Sequence, residues 1–360
     1  MAIARRIVAV SATPAAAAPL ARRDPKRHLW PLALLTPVLP LEAWLLVKAT
    51  GLGAFWWWGP FFTYALMPLL DAVQGRDTWN PPDAAAPALE EERYYRWCTW
   101  LYLPLQYASL VCACAWWASG ELSRLDSLGL ALTVGVVGGI AINTAHELGH
   151  KRVRAERRLA RVALAQSCYG HFFVEHNRGH HVAVATPEDP SSARLGESFW
   201  AFLPRTLLGS VRSAWRIDRR DVLEAWALSA ALFAALVAVF GARILPYLLL
   251  QAAFAIGLLE VVNYIQHYGL QRRKLADGRY ERLRAGHSWN AATVASNVAL
   301  FNLQRHSDHH ANALRRYPAL RHLEDAPQLP WGYPAMILLA YVPPLWRRVM
   351  DRRVRSLTPS

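Results

Sequence analysis

The run SLGLALTVGVVGGIAINTA, residues 127–145, passes without interruption into His146-Glu-Leu-Gly-His150. It carries no charge, and as a helix it approaches the length needed to cross a hydrocarbon core of roughly 30 Å. The two histidines then fall where such a helix leaves the core. Spaced i and i+4, they share one helical face. A membrane helix that carries paired imidazoles to its end is the pattern from which the rest of the chain reads outward.

Composition agrees with a membrane reading. Hydrophobic residues make up 54% of the 360, and Asp, Glu, Lys and Arg only 18%, against roughly 25% in soluble domains. Four cysteines are too sparse for a secreted disulfide scaffold, and the apolar content is too high for general disorder. Sixteen Trp suit the membrane–water interface. Five further stretches qualify as spans: 29–49 (containing Glu42 and Lys48), 49–70, 97–120, 225–242, and 244–259 continuing past Glu260 to 265. The expected fold class is all-α, a polytopic membrane protein with six transmembrane helices in three hairpins. The hairpin turns fall at Thr50-Gly51, at 121–126 and at Gly241-Ala242-Arg243. Residues 331–346 contain Pro334, Pro343 and Pro344 and are too short to span, so they read as interfacial or re-entrant.

The net charge of +14 follows the same layout. The three turns carry only Lys48, Arg124 and Arg243, whereas 13 Lys and Arg lie between Lys151 and Arg220 and 10 between Arg272 and Arg321. The positive-inside rule places both termini and both long loops in the cytoplasm. Topology therefore accounts for the charge, and the expected partner is a lipid bilayer, with no nucleic acid. The layout expected is a disordered basic cytoplasmic tail at 1–28, a single membrane domain at 29–346, and a basic cytoplasmic C-terminal tail at 347–360. The domain's cytoplasmic cap is expected from 149–221 and 266–360. Residues 8–21 are rich in Ala and Pro and do not form a signal-peptide core. The basic run Arg152, Arg154, Arg157, Arg158 and Arg161 suits lipid headgroups or, alternatively, an acidic electron carrier.

The histidines carry the chemistry. Three clusters occur: His146 and His150; His176, His180 and His181; and His306, His309 and His310. His267 stands in Asn263-Tyr-Ile-Gln-His267-Tyr-Gly-Leu270 at the end of the sixth expected span. Helical spacing puts the members of each cluster on one face. Neutral imidazole is a good ligand for Fe, Zn and Cu, and nine candidates suit two metals. His28, His287 and His322 are isolated, and His171 is ambiguous. His146-Glu-x-x-His150 also matches a zinc-protease pattern, but a single three-ligand zinc leaves the other clusters unexplained. No CxxC occurs, which disfavours sulfur sites, and imidazole-rich sites with open positions suit non-haem iron and oxygen chemistry.

At these motifs the chain resembles the integral-membrane non-haem di-iron alkane 1-monooxygenases, the alkane ω-hydroxylases. The resemblance covers about residues 29–325. It includes the three histidine clusters and Asn263-Tyr-x-x-His267-Tyr-Gly-Leu270, a stretch that separates this family from related desaturases and hydroxylases. Further matches are Leu69-Leu-Asp71 to Asn80-Pro-Pro82, Glu92-Arg-Tyr-Tyr-Arg96, Ala185-Thr-Pro-Glu-Asp-Pro190, Gly286-His-Ser-Trp-Asn290 and Leu303-Gln-Arg-His306 to His310. The resemblance implies two iron ions held by His146, His150, His176, His180, His181, His267, His306, His309 and His310. It implies terminal hydroxylation of medium- to long-chain n-alkanes with O₂ in a bacterial-type inner membrane. Electrons would come from NAD(P)H through a reductase and a separate rubredoxin. The alternative is a related fatty-acyl desaturase, or a hydroxylase of aromatic side chains or fatty acids.

One position departs from the family, which usually has Glu where this chain has Gln266. Nine neutral ligands leave two dications uncompensated, so nearby carboxylates gain weight. Glu147, Glu175, Asp189, Glu260 and Asp308 are candidates to support the ligands, together with Gln266. Trp56, Trp57 and Trp58, the most aromatic run of the second span, are candidates to limit a substrate channel, or else form an interfacial belt. Glu42 is an intramembrane carboxylate with either a functional or a packing role.

Overall fold

The computed structural model describes residues 24–357. Its main helices are α1 (Trp30–Thr50), α2 (53–74), α3 (Arg93–Ser119), α4 (Arg124–Gly149), α5 (Arg154–Ala165), α6 (172–183), α7 (Phe199–Phe240), α8 (Ala242–His267), α9 (His306–Ala311), α10 (Tyr333–Ala340) and α11 (Pro343–Leu357). Among the described residues there is no strand, only isolated bridges.

Five helices, α1, α3, α4, α7 and α8, are long and apolar enough to cross a membrane. The sixth expected span, 49–70, is helical only in pieces. Its segment α2 joins a 3-10 stretch at Gly53–Trp57 to a π turn at Phe62–Leu66 and an α-helix at Met67–Gln74. Pro60 and Pro68 explain the breaks, since each removes a backbone donor. Groups freed in an apolar setting need partners. Thr133 on α4 supplies them: its Oγ1 accepts from Gly59 N at 3.0 Å and donates to Trp56 O at 2.6 Å.

The hairpin turns lie where the sequence puts them, at Gly51 (φ 74°), Gly120 (φ 75°) and Gly241 (φ 82°). Each is in the left-handed region that glycine enters without penalty, which lets a helix stop and reverse. The expected span 225–242 is the far part of a 42-residue helix, α7. That helix breaks at Asp218 (φ −158°, ψ 88°), whose Oδ1 accepts from Asp221 N at 3.0 Å and so caps the second half.

Helices α4 and α8 form the central pair. Gly135, Gly138 and Gly139 on α4 lie against Phe254, Ala255 and Leu258 on α8, and a Cβ on Gly138 would come within 2.9 Å of the Ala255 Cβ. Small residues at such an interface let two backbones approach closely. The closeness fixes the ends of both helices, and those ends carry His146, His150 and His267.

The two expected tails need correction where they are described. Residues 1–23 lie outside the described residues, but 24–28 are held in place. Asp24 accepts from Trp30 Nε1 (2.9 Å) and Tyr95 Oη (3.0 Å), and Lys26 pairs with Asp77 and donates to Asn302 Oδ1 (3.1 Å). Asp24 and Lys26 are buried, and a buried charge persists only when partnered. The C-terminal stretch 347–360 begins inside α11, which buries Trp346, Met350 and Val354 along one face at helical spacing. Helix α10 has eight residues, too short to span, and packs against α8.

The α4–α8 contact yields a prediction. Gly138→Leu should overpack it by about 1–3 kcal/mol. It should lower the melting temperature in detergent and halve bound metal or worse, read by thermal denaturation and elemental analysis. Wild-type values for both would show that the two helices need not touch there.

Candidate metal centre

Nine histidines converge in two groups. His146, His150, His176, His181 and His309 form one, and His180, His267, His306 and His310 the other, with the ligand atoms of each group within 4.8 Å of one another. All nine expected ligands are therefore brought together. The clusters do not map one to one onto groups, however. The second and third are each divided between the two.

Local helix geometry explains the division. His176–His180 form a π turn, so His181 rather than His180 lies over His176, and their Nε2 atoms are 3.0 Å apart. An α-helical reading pairs His176 with His180 and misses this. In α9, His306 and His310 stay together at 3.0 Å, while His309 turns to the other group, 2.9 Å from His146 and 3.2 Å from His181.

The spacing is that of ligands. Two nitrogens at a right angle around one ion, each about 2.1 Å from it, are about 3.0 Å apart. Observed Nε2 separations include 3.1 Å for His150 and His176 and 3.1 Å for His267 and His306. A chain of facing nitrogens cannot be satisfied by hydrogen bonds alone, because each neutral imidazole has one N–H to give. His180 shows where its proton goes: Nδ1 donates to Asp189 Oδ2 at 2.9 Å, leaving Nε2 free to face the group.

Burial sets the charge state. It pushes His181 down to about 3 and holds His176, His306, His309 and His310 well below the ordinary value, with neighbouring imidazoles adding to the effect. Those five rings are thus neutral, the state in which an imidazole binds a cation. In His180 burial acts the same way but the Asp189 carboxylate outweighs it, so its pKa rises.

The candidate supporting carboxylates separate by partner. Among the described residues, only Asp189 of the five hydrogen-bonds a clustered histidine; it also accepts from Ser191 N (3.0 Å) and Ser192 Oγ (2.6 Å). Glu147 pairs with Lys151 at 3.0 Å and accepts from Tyr317 N. Asp308 pairs with Arg315 at 2.9 Å and caps Arg321 N. Glu260 accepts from Tyr169 (2.7 Å) and Thr206 (2.9 Å). Glu175 is buried, and burial with Asp189 nearby pushes it up to about 8. His171 faces Ser210 at 3.3 Å, away from both groups.

The scaffold behind the third cluster is built by contacts between residues distant in the chain. Arg305, next to His306, donates to Asp77 Oδ2 (2.9 Å), Trp79 O (2.9 Å) and Leu320 O (2.6 Å). Asp71 accepts from Ser296 N and Oγ, and Asn80 clasps the His322 backbone in both directions. These contacts give the stretch from Asp71 to Asn80 a holding role.

An apolar cavity lies between α2, α4, α8 and α10, with Phe62, Met67, Ile140 and Ile337 among its walls. A smaller one is faced by His146, His176, His306 and Gln266. They share Asn143, Leu259, Val262 and Leu303. The smaller cavity thus lies between the apolar one and rings of both histidine groups. Trp56, Trp57 and Trp58 are not among its walls. They sit near the start of α2, where Trp56 packs on Trp116 (5.4 Å), Trp57 lies over Gly129, and Trp58 donates to Glu42 at 2.8 Å. Phe62, Thr63 and Met67, roughly one to three turns further on, take the lining position. Nothing in the aromatic pattern marks them, since the π turn resets which face of α2 looks inward.

The Asp189 contact is testable. Asp189→Asn should weaken metal binding in the four-histidine group by about tenfold and spare the other. Chelator titration with metal quantification should then release one ion well before the second. Two ions leaving together, as in wild type, would remove the role assigned to Asp189.

Comparison with known proteins fits this site. Residues 127–340 match the fatty acid desaturase family model. The chain is 44% identical to alkane 1-monooxygenase 1 of Alcanivorax borkumensis, over 92% of this chain and 85% of that protein. It is 44% identical to the alkane 1-monooxygenase of Ectopseudomonas oleovorans (92% and 86% covered) and 43% to that of Pseudomonas putida (92% and 86%). Identity of this extent, over a chain whose nine histidines gather into two ligand groups at the end of an apolar cavity, places the chain in the alkane 1-monooxygenase family.

Proposed function

We propose that this protein hydroxylates the terminal carbon of medium- to long-chain n-alkanes, using O₂ at a di-iron centre held by the nine histidines. One observation carries the reading: the apolar cavity and the histidine-faced cavity share walls, so an alkyl chain lying in the first presents its end to both groups. The relatives named alkane 1-monooxygenase support the same substrate class.

A terminal C–H bond is strong and unpolarised, beyond the reach of acid–base side chains. Two bound irons would supply the activation of O₂ that such a bond requires. The overall reaction takes alkane, O₂, two electrons and two protons to 1-alkanol and water. The chain's own residues do the rest. Leu259, Val262 and Leu303 exclude water and direct the chain end to the histidines. Phe62 and Met67 on α2, with Ile337 on α10, bound the reach of the alkyl chain in place of Trp56, Trp57 and Trp58. Asp189 orients His180. In this reading α2 is the sixth span, both termini and the histidine cap face the cytoplasm, and the membrane is a bacterial inner membrane. The charge distribution supports that orientation.

Electrons, in this proposal, come from NAD(P)H through a reductase and a separate rubredoxin. The exposed part of the basic run offers a docking surface: Arg152, Arg154, Arg157 and Arg158 are open to solvent, while Arg161 pairs with Asp221 at 2.6 Å. Reversing Arg152, Arg154 and Arg158 to Glu should cut rubredoxin-dependent turnover severalfold and flatten its salt dependence while iron content holds. Unchanged kinetics would assign the run to lipid headgroups.

The activity itself is checked with protein purified in detergent, supplied with rubredoxin, its reductase and NADH. With octane or hexadecane under ¹⁸O₂, about two irons per chain and labelled 1-alkanol are expected. Two irons with no alcohol from either alkane would move the substrate toward fatty-acyl or aromatic compounds. Zinc in place of iron, with no oxygen-dependent product after iron reconstitution, would end the oxygenase reading.

A further inference from the structure

A path of packed rings runs from the histidine groups to the protein surface. It begins at Phe172, which among the described residues is the only ring other than a histidine to meet a clustered histidine. Phe172 stacks on His176 with centroids 4.8 Å apart. It packs on Tyr169 at 6.1 Å, Tyr169 on His171 at 4.4 Å, and His171 on Trp226 at 6.4 Å. Trp226 stacks on Trp215 at 5.9 Å, and Trp215 is 37% exposed. The break in α7 makes that last contact. Residues 215 and 226 would stand about 16 Å apart along a straight helix. The break at Asp218 lies between them and lets the two rings meet. Tyr169, His171 and Phe172 are buried, so the inner part of the path is closed to solvent.

The chemistry of these rings restricts what the path can carry. Tyrosine and tryptophan give up one electron to a strong oxidant, more readily than phenylalanine or neutral imidazole. A phenol does so easily only when its proton leaves with the electron, because the protonated radical is a strong acid. Tyr169 has the acceptor in place: its Oη donates to Glu260 Oε1 at 2.7 Å. A mild oxidant cannot take electrons from such rings, so the path does not serve routine electron delivery. It answers a strong oxidant, of the kind that attack on an unactivated C–H bond requires.

We propose that Tyr169, Trp226 and Trp215 form an escape relay for oxidising equivalents, used when O₂ reacts at the histidine groups with no alkane in the cavity. This rests on the oxygenase reading of the site. Tyr169 gives one electron inward past Phe172 as its hydroxyl proton passes to Glu260. The acceptor is oxidised iron, which the hydroxylation chemistry itself supplies. Trp226 then gives one electron to Tyr169, which takes its proton back, and Trp215 gives one to Trp226. A one-electron reductant of the thiol or ascorbate class restores Trp215 at the surface. Electrons from the relay thus take the place of damage to the ligand rings.

The test follows the rings rather than turnover. The full chain, iron-loaded in detergent, is supplied with rubredoxin, its reductase, NADH, catalase and O₂ but no alkane. Samples are frozen for electron paramagnetic resonance or digested for mass spectrometry. The relay predicts an organic radical signal that narrows with ring-deuterated tyrosine or tryptophan. It also predicts oxidation of Trp215 severalfold above that of Trp97 and Trp331. Those two are more exposed, at 52% and 53%, so a diffusing oxidant would favour them. Iron-free protein treated with peroxide gives that exposure-driven pattern for comparison. Saturating octane should suppress both signals. Tyr169→Phe and Trp226→Phe should each lower Trp215 oxidation severalfold and raise oxidation of Phe172 and His176. Two variants guard against either one misfolding, and retained iron reports that the centre is intact. Oxidation of Trp215 no greater than that of Trp97 and Trp331, or unchanged in both variants, overturns the relay. Failure of wild type to form alcohol from octane or hexadecane would remove the oxygenase reading, and the relay with it.

Discussion

Neutral imidazole nitrogens repel when their lone pairs converge, and here nine converge in two buried groups. Only cations between them turn that repulsion into attraction. Other features of the structure hold the rings in place against it. The close α4–α8 contact sets the depth of His146, His150 and His267. The π turn in α6 gives His176 and His181 to one group and His180 to the other. Arg305, buried among backbone carbonyls and Asp77, pins the start of α9.

Charge is managed at a distance from the rings. Two dications among neutral ligands need negative charge nearby, yet most carboxylates around this centre already have partners. Glu147 belongs to Lys151, Asp308 to Arg315, and Glu260 to two hydroxyls. Asp189 alone among the candidates reaches a ring directly, and it does so on the four-histidine side. The two metal positions are therefore unequal: one has five rings, the other four rings and a carboxylate behind one of them. Two irons held there would have different electrostatic surroundings.

The membrane shapes the site as much as the ligands do. An apolar substrate dissolves in the bilayer, so a cavity walled by α2, α4, α8 and α10 can receive it from within the spanning region. A further apolar cleft of about 480 Å³ lined by Tyr64, Phe199, Trp200 and Leu258 shares Leu258 with that cavity. The broken character of α2 belongs to the same design. A regular helix with Pro60 and Pro68 would leave donors and acceptors unpaired in an apolar medium, and Thr133 resolves part of that.

The sequence by itself determined the class of the fold, the three hairpin turns, the nine histidines that converge and the chemistry they suit. Those features rest on local properties: apolar length, glycine at reversals, and the donor type of a side chain. What it left open required knowing which residues face one another. An i, i+4 rule placed His176 with His180, because no residue type announces a π turn. The aromatic run at Trp56 to Trp58 suits either a channel wall or an interfacial belt, and it is Phe62, Thr63 and Met67, past the break in α2, that line the apolar cavity. Residues 24–28 looked like tail until Asp77, Tyr95 and Asn302, distant in the chain, were found beside them. Gln266 and Tyr333 are 67 residues apart in the chain and meet only because α8 and α10 pack together. Tertiary structure decided these points, because burial and the pairing of polar groups depend on neighbours that local sequence does not specify.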